Sequence, residues 1–258
     1  MTDKFTELLE AHLLMQLGCY FDGTERHESG ITYAWSEKIE DAAWNLGFAL
    51  SCQLDTSRVK WVRDTARAKN RTPCVLVSNE ADLLTSGFEF SEAEKERWMI
   101  AELAENRTTE TTLEIREYVT AAAPSEFLTV FKKLFSDENI NSHFAKYYIP
   151  ALQQATVSKG VRCTHLVGFT QHKPVSTATI YVCEGLAGLY NVGTEIQSQK
   201  NGFGREISIR AMNIARSQGA KHIFLQCEAD THVELLYKEV GFEIYQSPVG
   251  VTLVDANA

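Results

Sequence analysis

NVGTEIQSQKNGFGREI (residues 191–207) sets two glycines, Gly202 and Gly204, one residue apart, between an apolar run and an amphipathic pattern. Upstream, LAGLYNVGT reads as a strand. Downstream, Ile207, Ala211, Ile214 and Ala215 fall on one helical face, and Gly219 is a natural stop, so a helix is expected from Gly204 to Gln218. A turn from strand to helix leaves the first backbone N–H groups of the helix unpaired. Together with the helix dipole they form an anion site, and glycines there remove side chains that would block a phosphate. The loop therefore suits a pyrophosphate. It is not a Walker loop, because G-x-x-x-x-G-K-[ST] is absent. It is not a dinucleotide fingerprint either, because Ile207 stands where the third glycine belongs and the motif lies late in the chain.

Working outward, KHIFLQCEAD (221–230) reads as a strand, THVELLYKEVG (231–241) as a helix, and FEIYQS with VGVTLV as a closing hairpin. Before the loop come the strands TLEIREYVT, VRCTHLVGFT and VSTATIYVCEG. They are joined by two helices, SEFLTVFKKLFSD with Ser125 as cap and SHFAKYYIPALQQAT with Ser142 as cap and Pro150 as a kink or end. The polar segment 104–112 has no large apolar side chain and marks the expected boundary between residues 1–108 and 109–258.

The first part opens with a helix over residues 3–17 and continues through the strands GITYAWSEKI and AAWNLGFALSCQL. A helix capped by Asp55 or Thr56 follows, then the strand TPCVLVSN and a short helix EADLLTSGF. FEF starts another strand, and SEAEKERWMIAELAEN reads as a helix with Ser91 as cap and Glu94 in the capping-box position. LLTSGFEF and LYKEVGFEI echo each other, each after a buried strand and a short helix, so an internal duplication is expected.

QKNGFG (199–204) matches Q/R-x-x-G-x-G/A, and LLYKEVGF with Tyr237 matches LYxxxGF. In this order, with the strands and helix around them, residues 113–254 resemble the GNAT superfamily of N-acetyltransferases. The resemblance implies an α/β acyl-CoA N-acyltransferase fold in two tandem copies. The second copy would be catalytic. The first, with SCQLDTSRVKWV and no glycine pair in place of the loop, would be a degenerate companion. It also implies acetyl-CoA as cosubstrate. Val192, Gly193 and Thr194 would pair with its pantetheine arm, and Gln199, Lys200, Asn201, Gly202, Phe203, Gly204 and Arg205 would hold its pyrophosphate. Tyr237 would protonate the departing thiolate.

The positions where some members of that superfamily carry a base are Tyr190 and Gly188 here; Glu184, Glu228 and His165 are the alternatives. The residues leave three functions open: acetyl transfer to an amine of a small molecule or peptide by direct attack, acyl-CoA binding for regulation without turnover, and acyl transfer to something other than an amine or with a longer acyl chain. A net charge of −9 argues against nucleic acid as a partner and is compatible with an amine. Six cysteines without a C-x-x-C pair read as reduced thiols of a cytoplasmic protein, and the scattered histidines predict no metal. No 18-residue apolar run occurs and the N-terminus lacks a signal-peptide core, so no membrane contact is expected; a homodimer is compatible with the pattern.

Overall fold

The computed structural model describes residues 4–50, 52, 54–78, 89–90, 94–108 and 112–254. The first part contains α1 (Lys4–Gln16), β1 (Gly23–Arg26), β2 (Thr32–Trp35), β3 (Leu46–Ala49), α2 (Thr56–Ala68), β4 (Cys74–Val77) and β5 (Glu94–Glu102). Then follow β6 (Glu114–Tyr118), α3 (Ser125–Phe131), α4 (Glu138–Gln153), β7 (Arg162–Thr170), β8 (Lys173–Cys183) and β9 (Leu186–Thr194). The chain closes with α5 (Phe203–Ser217), β10 (His222–Glu228), α6 (His232–Val240), β11 (Glu243–Gln246) and β12 (Val249–Thr252).

Among the described residues the strands form one 12-stranded sheet in the order β1-β2-β3-β4-β12-β5-β10-β9-β8-β7-β6, with β11 also on β5. The two ends of this order mirror each other. β2 and β3 are antiparallel, β3 and β4 are parallel, and α2 connects that parallel pair. Likewise β8 and β9 are antiparallel, β9 and β10 are parallel, and α5 connects them. This is the expected duplication, written as topology.

The middle of the sheet differs from the expectation. SEAEKERWMIAELAEN is not a helix: its core is the strand β5. Glu, Lys, Ala, Leu and Met favour a helix locally, but tertiary burial overrides a propensity worth only tenths of a kcal/mol per residue. Met99, Ala101 and Leu103 pack into the core beneath α5 and α6, while Trp98 packs into the opposite core beneath α1. A helix could not serve two layers on opposite sides of a sheet; a central strand does.

Nor do β11 and β12 form a closing hairpin. Both run antiparallel along β5, first at Glu243↔Ile100 and Ile244↔Met99, then at Val249↔Lys95 and Gly250↔Glu94. On its other edge β12 pairs with β4 from Val249↔Val77 to Thr252↔Cys74, and Leu253 bridges Phe90. Each part thus lends its last strand to the other. β5 sits between β10 and β11, and β12 sits beside β4. Both strands cross the division expected near residue 108.

Smaller differences are local. AAWNLGFALSCQL begins as a 3-10 turn at Ala42–Trp44 before β3. Asp55 caps α2, accepting from the Arg58 amide. α3 starts after Pro124, with no side-chain cap from Ser125. α4 starts at Glu138 with Asp137 as cap rather than Ser142, and Pro150 lies inside it. The expected helix EADLLTSGF and the cap Ser91 fall outside the described residues. The chain re-enters the sheet at Thr112 and Leu113, whose amides donate to the buried carboxylate of Glu206 in α5 at 2.9–3.1 Å. The described cysteines are free thiols. Among the described residues, no helix is long and apolar enough to cross a membrane.

The exchange predicts interdependence. A fragment of residues 109–258 lacks β5, so β10 and β11 lose their shared partner along seven residue pairs on the β10 side. It is expected to show no cooperative thermal transition, and mixing it with a 1–108 fragment should restore one. Cooperative unfolding of 109–258 alone, measured by circular dichroism, would show that the exchange is dispensable.

Candidate active site

β9 and β10 pair only at His222↔Leu186, Ile223↔Ala187 and Phe224↔Gly188, and beyond that they diverge. The cause lies on β9. Thr177 of β8 faces Gly193 while Thr179 faces Tyr190, so β9 carries one extra residue, a bulge at Asn191–Val192. Asn191 adopts φ 53°, a conformation asparagine tolerates better than most residues. Its side chain is fixed from both ends: Tyr20 Oη donates to its Oδ1 at 2.6 Å, and its Nδ2 donates to Thr179 Oγ1 at 3.3 Å. Meanwhile β5 holds the far edge of β10. The split therefore stays open, and the edge of Val192, Gly193 and Thr194 that faces it has no strand partner among the described residues.

The split opens into a cavity of about 410 Å³ that passes through the sheet. On the α5–α6 side it is walled by Val192, Cys227, Val233 and Tyr237. On the opposite side it is walled by Tyr190, Trp98 and His12, which belong to the core beneath α1.

The loop before α5 leaves the start of the helix uncapped and open. Gly202 stands at the N-cap with φ 80° and ψ 0° in the left-handed region, and no side chain caps the helix. A Cβ added at Gly202 would meet nothing within 4 Å, and one at Gly204 nothing closer than Leu236 at 3.6 Å. Gln199 and Asn201 turn inward and brace the loop. Gln199 Nε2 donates to the carbonyls of Leu134 and Thr194, and Asn201 Nδ2 to those of Ser198 and Gln199. A Cβ at Gly193 would sit 2.6 Å from Leu134 Cδ2, so that side chain would have to shift. The equivalent helix of the first part, α2, has its N-terminus filled by the Asp55 carboxylate, which also pairs with Arg58 at 2.7 Å.

Tyr237 of α6 is buried against the cavity, edge-on to Phe242. Burial raises its phenol, which is therefore a proton donor rather than a base at neutral pH. Of the three candidate bases, Glu228 lines the cavity. His165 does not: it is buried on β7 between Thr179 Oγ1 at 2.9 Å and the Ala121 carbonyl at 3.1 Å. Glu184 lies in the turn before β9, at the opposite end of that strand from the loop.

Several cavity residues escaped the sequence reading. Glu96, on the exchanged strand, sits opposite Glu228, and Trp98 Nε1 donates to its Oε2 at 3.2 Å. Burial raises the Glu96 carboxyl. Cys227 also faces the cavity, its thiol pushed up to about 11 by burial. His12 reaches in from α1. The Tyr190 hydroxyl and the Gln226 amide nitrogen approach its Nδ1 at 3.0 and 3.3 Å, so Nδ1 accepts and the proton lies on Nε2. The signal that could have found Glu96 and Trp98 is the echo itself. GFEI is followed by two strands, so GFEF should be too.

Burial lowers His12 from 6.5 to about 3. The unfolded chain therefore binds a proton there that the folded chain refuses, from about 6.5 down to about 3. His12 costs stability as pH falls through that window, with a slope of up to about 1.4 kcal/mol per pH unit. Glu96, whose pKa is raised, works in the opposite sense, so the informative comparison is between variants. His12→Gln should flatten the acid limb of urea midpoints measured from pH 7 to 4. Parallel curves for the two proteins would assign the acid sensitivity elsewhere.

No protein-family model matches the sequence, and no curated protein matches it. Solved structures do. A GCN5-related N-acetyltransferase from Kribbella flavida is 13% identical, with a TM-score of 0.66 over 99% of this chain and 98% of that one. A tandem GNAT protein from the clavulanic acid biosynthesis pathway is 12% identical, with a TM-score of 0.56 over 88% and 80%. A GCN5-related N-acetyltransferase from Sphaerobacter thermophilus is 11% identical, with a TM-score of 0.54 over 88% and 81%. Together with the mirrored sheet, the split at β9–β10 and the uncapped α5, these likenesses give the chain the fold of the GNAT acetyltransferases along its whole length.

Proposed function

We propose that the protein is an acetyl-CoA-dependent N-acetyltransferase that acts on an amine by direct attack. The observation that carries this reading is the uncapped, glycine-lined start of α5 at the mouth of the β9–β10 split, with a buried phenol inside it. The residues present fit such a cosubstrate. The first-turn amides of α5 and the loop Gln199–Arg205 would hold the diphosphate, with Gln199 and Asn201 acting through the loop backbone they brace. The free edge of Val192–Thr194 would take the amide-bearing arm as an added strand. Bound acetyl-CoA supplies an activated acetyl thioester.

The remaining chemistry falls to the protein. Tyr237, held protonated by burial, donates its proton at the position of the leaving sulfur as the C–S bond breaks and the C–N bond forms. Cys227 stays a thiol at neutral pH, because burial opposes its ionisation. This favours attack by the amine itself over an acyl-cysteine relay. Glu228 and Glu96 are the carboxylates on the cavity wall that can take the proton the attacking ammonium must lose.

Two measurements test this. At about 100 times its dissociation constant, acetyl-CoA should stabilise the protein by roughly 2.7 kcal/mol. Gly204→Glu places a carboxylate at the start of α5 without a clash and should abolish that thermal shift while leaving the melting temperature of the free protein near wild type. An undiminished shift would remove the loop from the site. Tyr237→Phe fills the same space and should lower kcat by about a hundredfold with little change in KM for acetyl-CoA. Turnover at the wild-type rate, with chemistry rate-limiting, would leave Tyr237 as a wall of the cavity only.

A further inference from the structure

The acceptor side of the cavity has a composition of its own. The cavity wall carries two carboxylates, Glu96 and Glu228, and no lysine or arginine among the described residues. The two sit opposite each other on β5 and β10, so the negative charge is gathered at one end. Much of the rest of the wall is aromatic, interleaved with aliphatic residues such as Leu46, Leu134 and Leu189. Trp44, Phe135, Phe144 and Tyr148 are half-buried and line it, although each already packs against another ring. Trp44 is fixed in place: its Nε1 donates to Tyr148 Oη at 3.1 Å, and that hydroxyl donates to Asp41 Oδ2 at 2.6 Å. Asp41 is thus committed to Tyr148, and to His143 at 2.9 Å, and is no second anchor for a cation.

From this arrangement we infer that the acceptor is a small primary amine on an aromatic body, its ammonium held at Glu96 and Glu228 and its ring lodged among Trp44, Tyr148 and Phe144. The inference rests on the acyltransferase reading above and specifies its acceptor. The physical reasons are three. A carboxylate pair in a largely apolar wall selects a single cation, because an uncompensated charge there is costly. Aromatic faces attract both an arene and an adjacent ammonium. An acidic acceptor would meet no lysine or arginine among the described residues of this wall, and a long polyamine would bring further charges to a largely apolar one.

The first part of the chain contributes to this side of the site alongside Glu228, Phe144 and Tyr148 of the second. Glu96 arrives on the exchanged strand, His12 on α1 and Trp44 on the turn before β3. Glu96 is therefore a specificity residue supplied across the duplication.

The test is binding of 2-phenylethylamine, its neutral analogue 2-phenylethanol and the non-aromatic putrescine, measured by titration calorimetry on the full chain. The aromatic amine is expected to bind about tenfold or more tightly than either of the others. Glu96→Gln keeps an acceptor for Trp98 Nε1, so the pocket should persist. Its preference for amine over alcohol should collapse to within about threefold, while phenylethanol binding is retained. Trp44→Ala should weaken both aromatic ligands. Putrescine binding as tightly as phenylethylamine, no binding of the aromatic amine, or unchanged amine preference in Glu96→Gln would each overturn the assignment. The acetyl-CoA thermal shift of the same proteins separates the two readings. If the shift is present and the amine preference absent, the acceptor class is wrong and the transferase reading stands. If the shift is absent and the preference present, the acceptor class stands as a binding property and the transferase reading falls.

Discussion

Everything in the site depends on β5 being wedged between β10 and β11. Seven residue pairs with β10 and a shorter ladder with β11 hold one strand from the first part inside the second. Because β10 is anchored on that edge, it cannot follow β9 when the bulge at Asn191–Val192 turns β9 away. The opening is therefore the consequence of two constraints acting on opposite sides. A bulge on β9 bends one arm, and an exchanged strand pins the other. A strand from the same half could pin β10 equally well, but it would not bring Glu96 and Trp98 from across the duplication.

The through-sheet cavity divides the labour by face. The side of α5 and α6 offers backbone amides, a free strand edge and a buried phenol, which suit a long, polar, anionic cosubstrate. The side of α1 and the turn at Ala42–Trp44 offers rings and carboxylates, which suit a small cation. Separation by a sheet lets each side be built from different residues without compromise. The two ligands would meet only where the strands part, near Tyr190, Gln226 and Tyr237.

Much of the fold was legible because its signals are local. The G-x-G turn, the amphipathic α5, its glycine stop and the LYKEVGF segment each act within a few residues, and each lies where expected. What failed to show was everything decided at a distance. Glu94–Glu102 is rich in helix formers, and only the layers above and below it make it a strand. The same holds for the pairing of β11 and β12. Their sequence has the turn of a hairpin at Ser247 and Pro248, yet the edge they meet is β5. Asn191 could not be read as a bulge, since nothing in LAGLYNVGT says that Val192 and Tyr190 lie on different faces. Neither His12 nor Trp44 stood out in the sequence, because their place on the cavity wall is set by tertiary packing.

The duplication also explains why a half that lacks a cofactor cradle remains part of the site. At the start of α2 the anion position is taken by the chain's own Asp55, which satisfies the Arg58 amide and pairs with its guanidinium. An internal carboxylate at a helix N-terminus stabilises the helix by typically about 1 kcal/mol and excludes an external phosphate in the same stroke. The first half thus has a side-chain-capped helix start where the second has none. Its contribution to the cavity comes from other elements: β5 as the wedge, α1 as the floor and the 3-10 turn with Trp44 as part of the wall. The cost of removing it is accordingly structural as well as chemical, since the same strand that carries Glu96 holds β10 apart from β9.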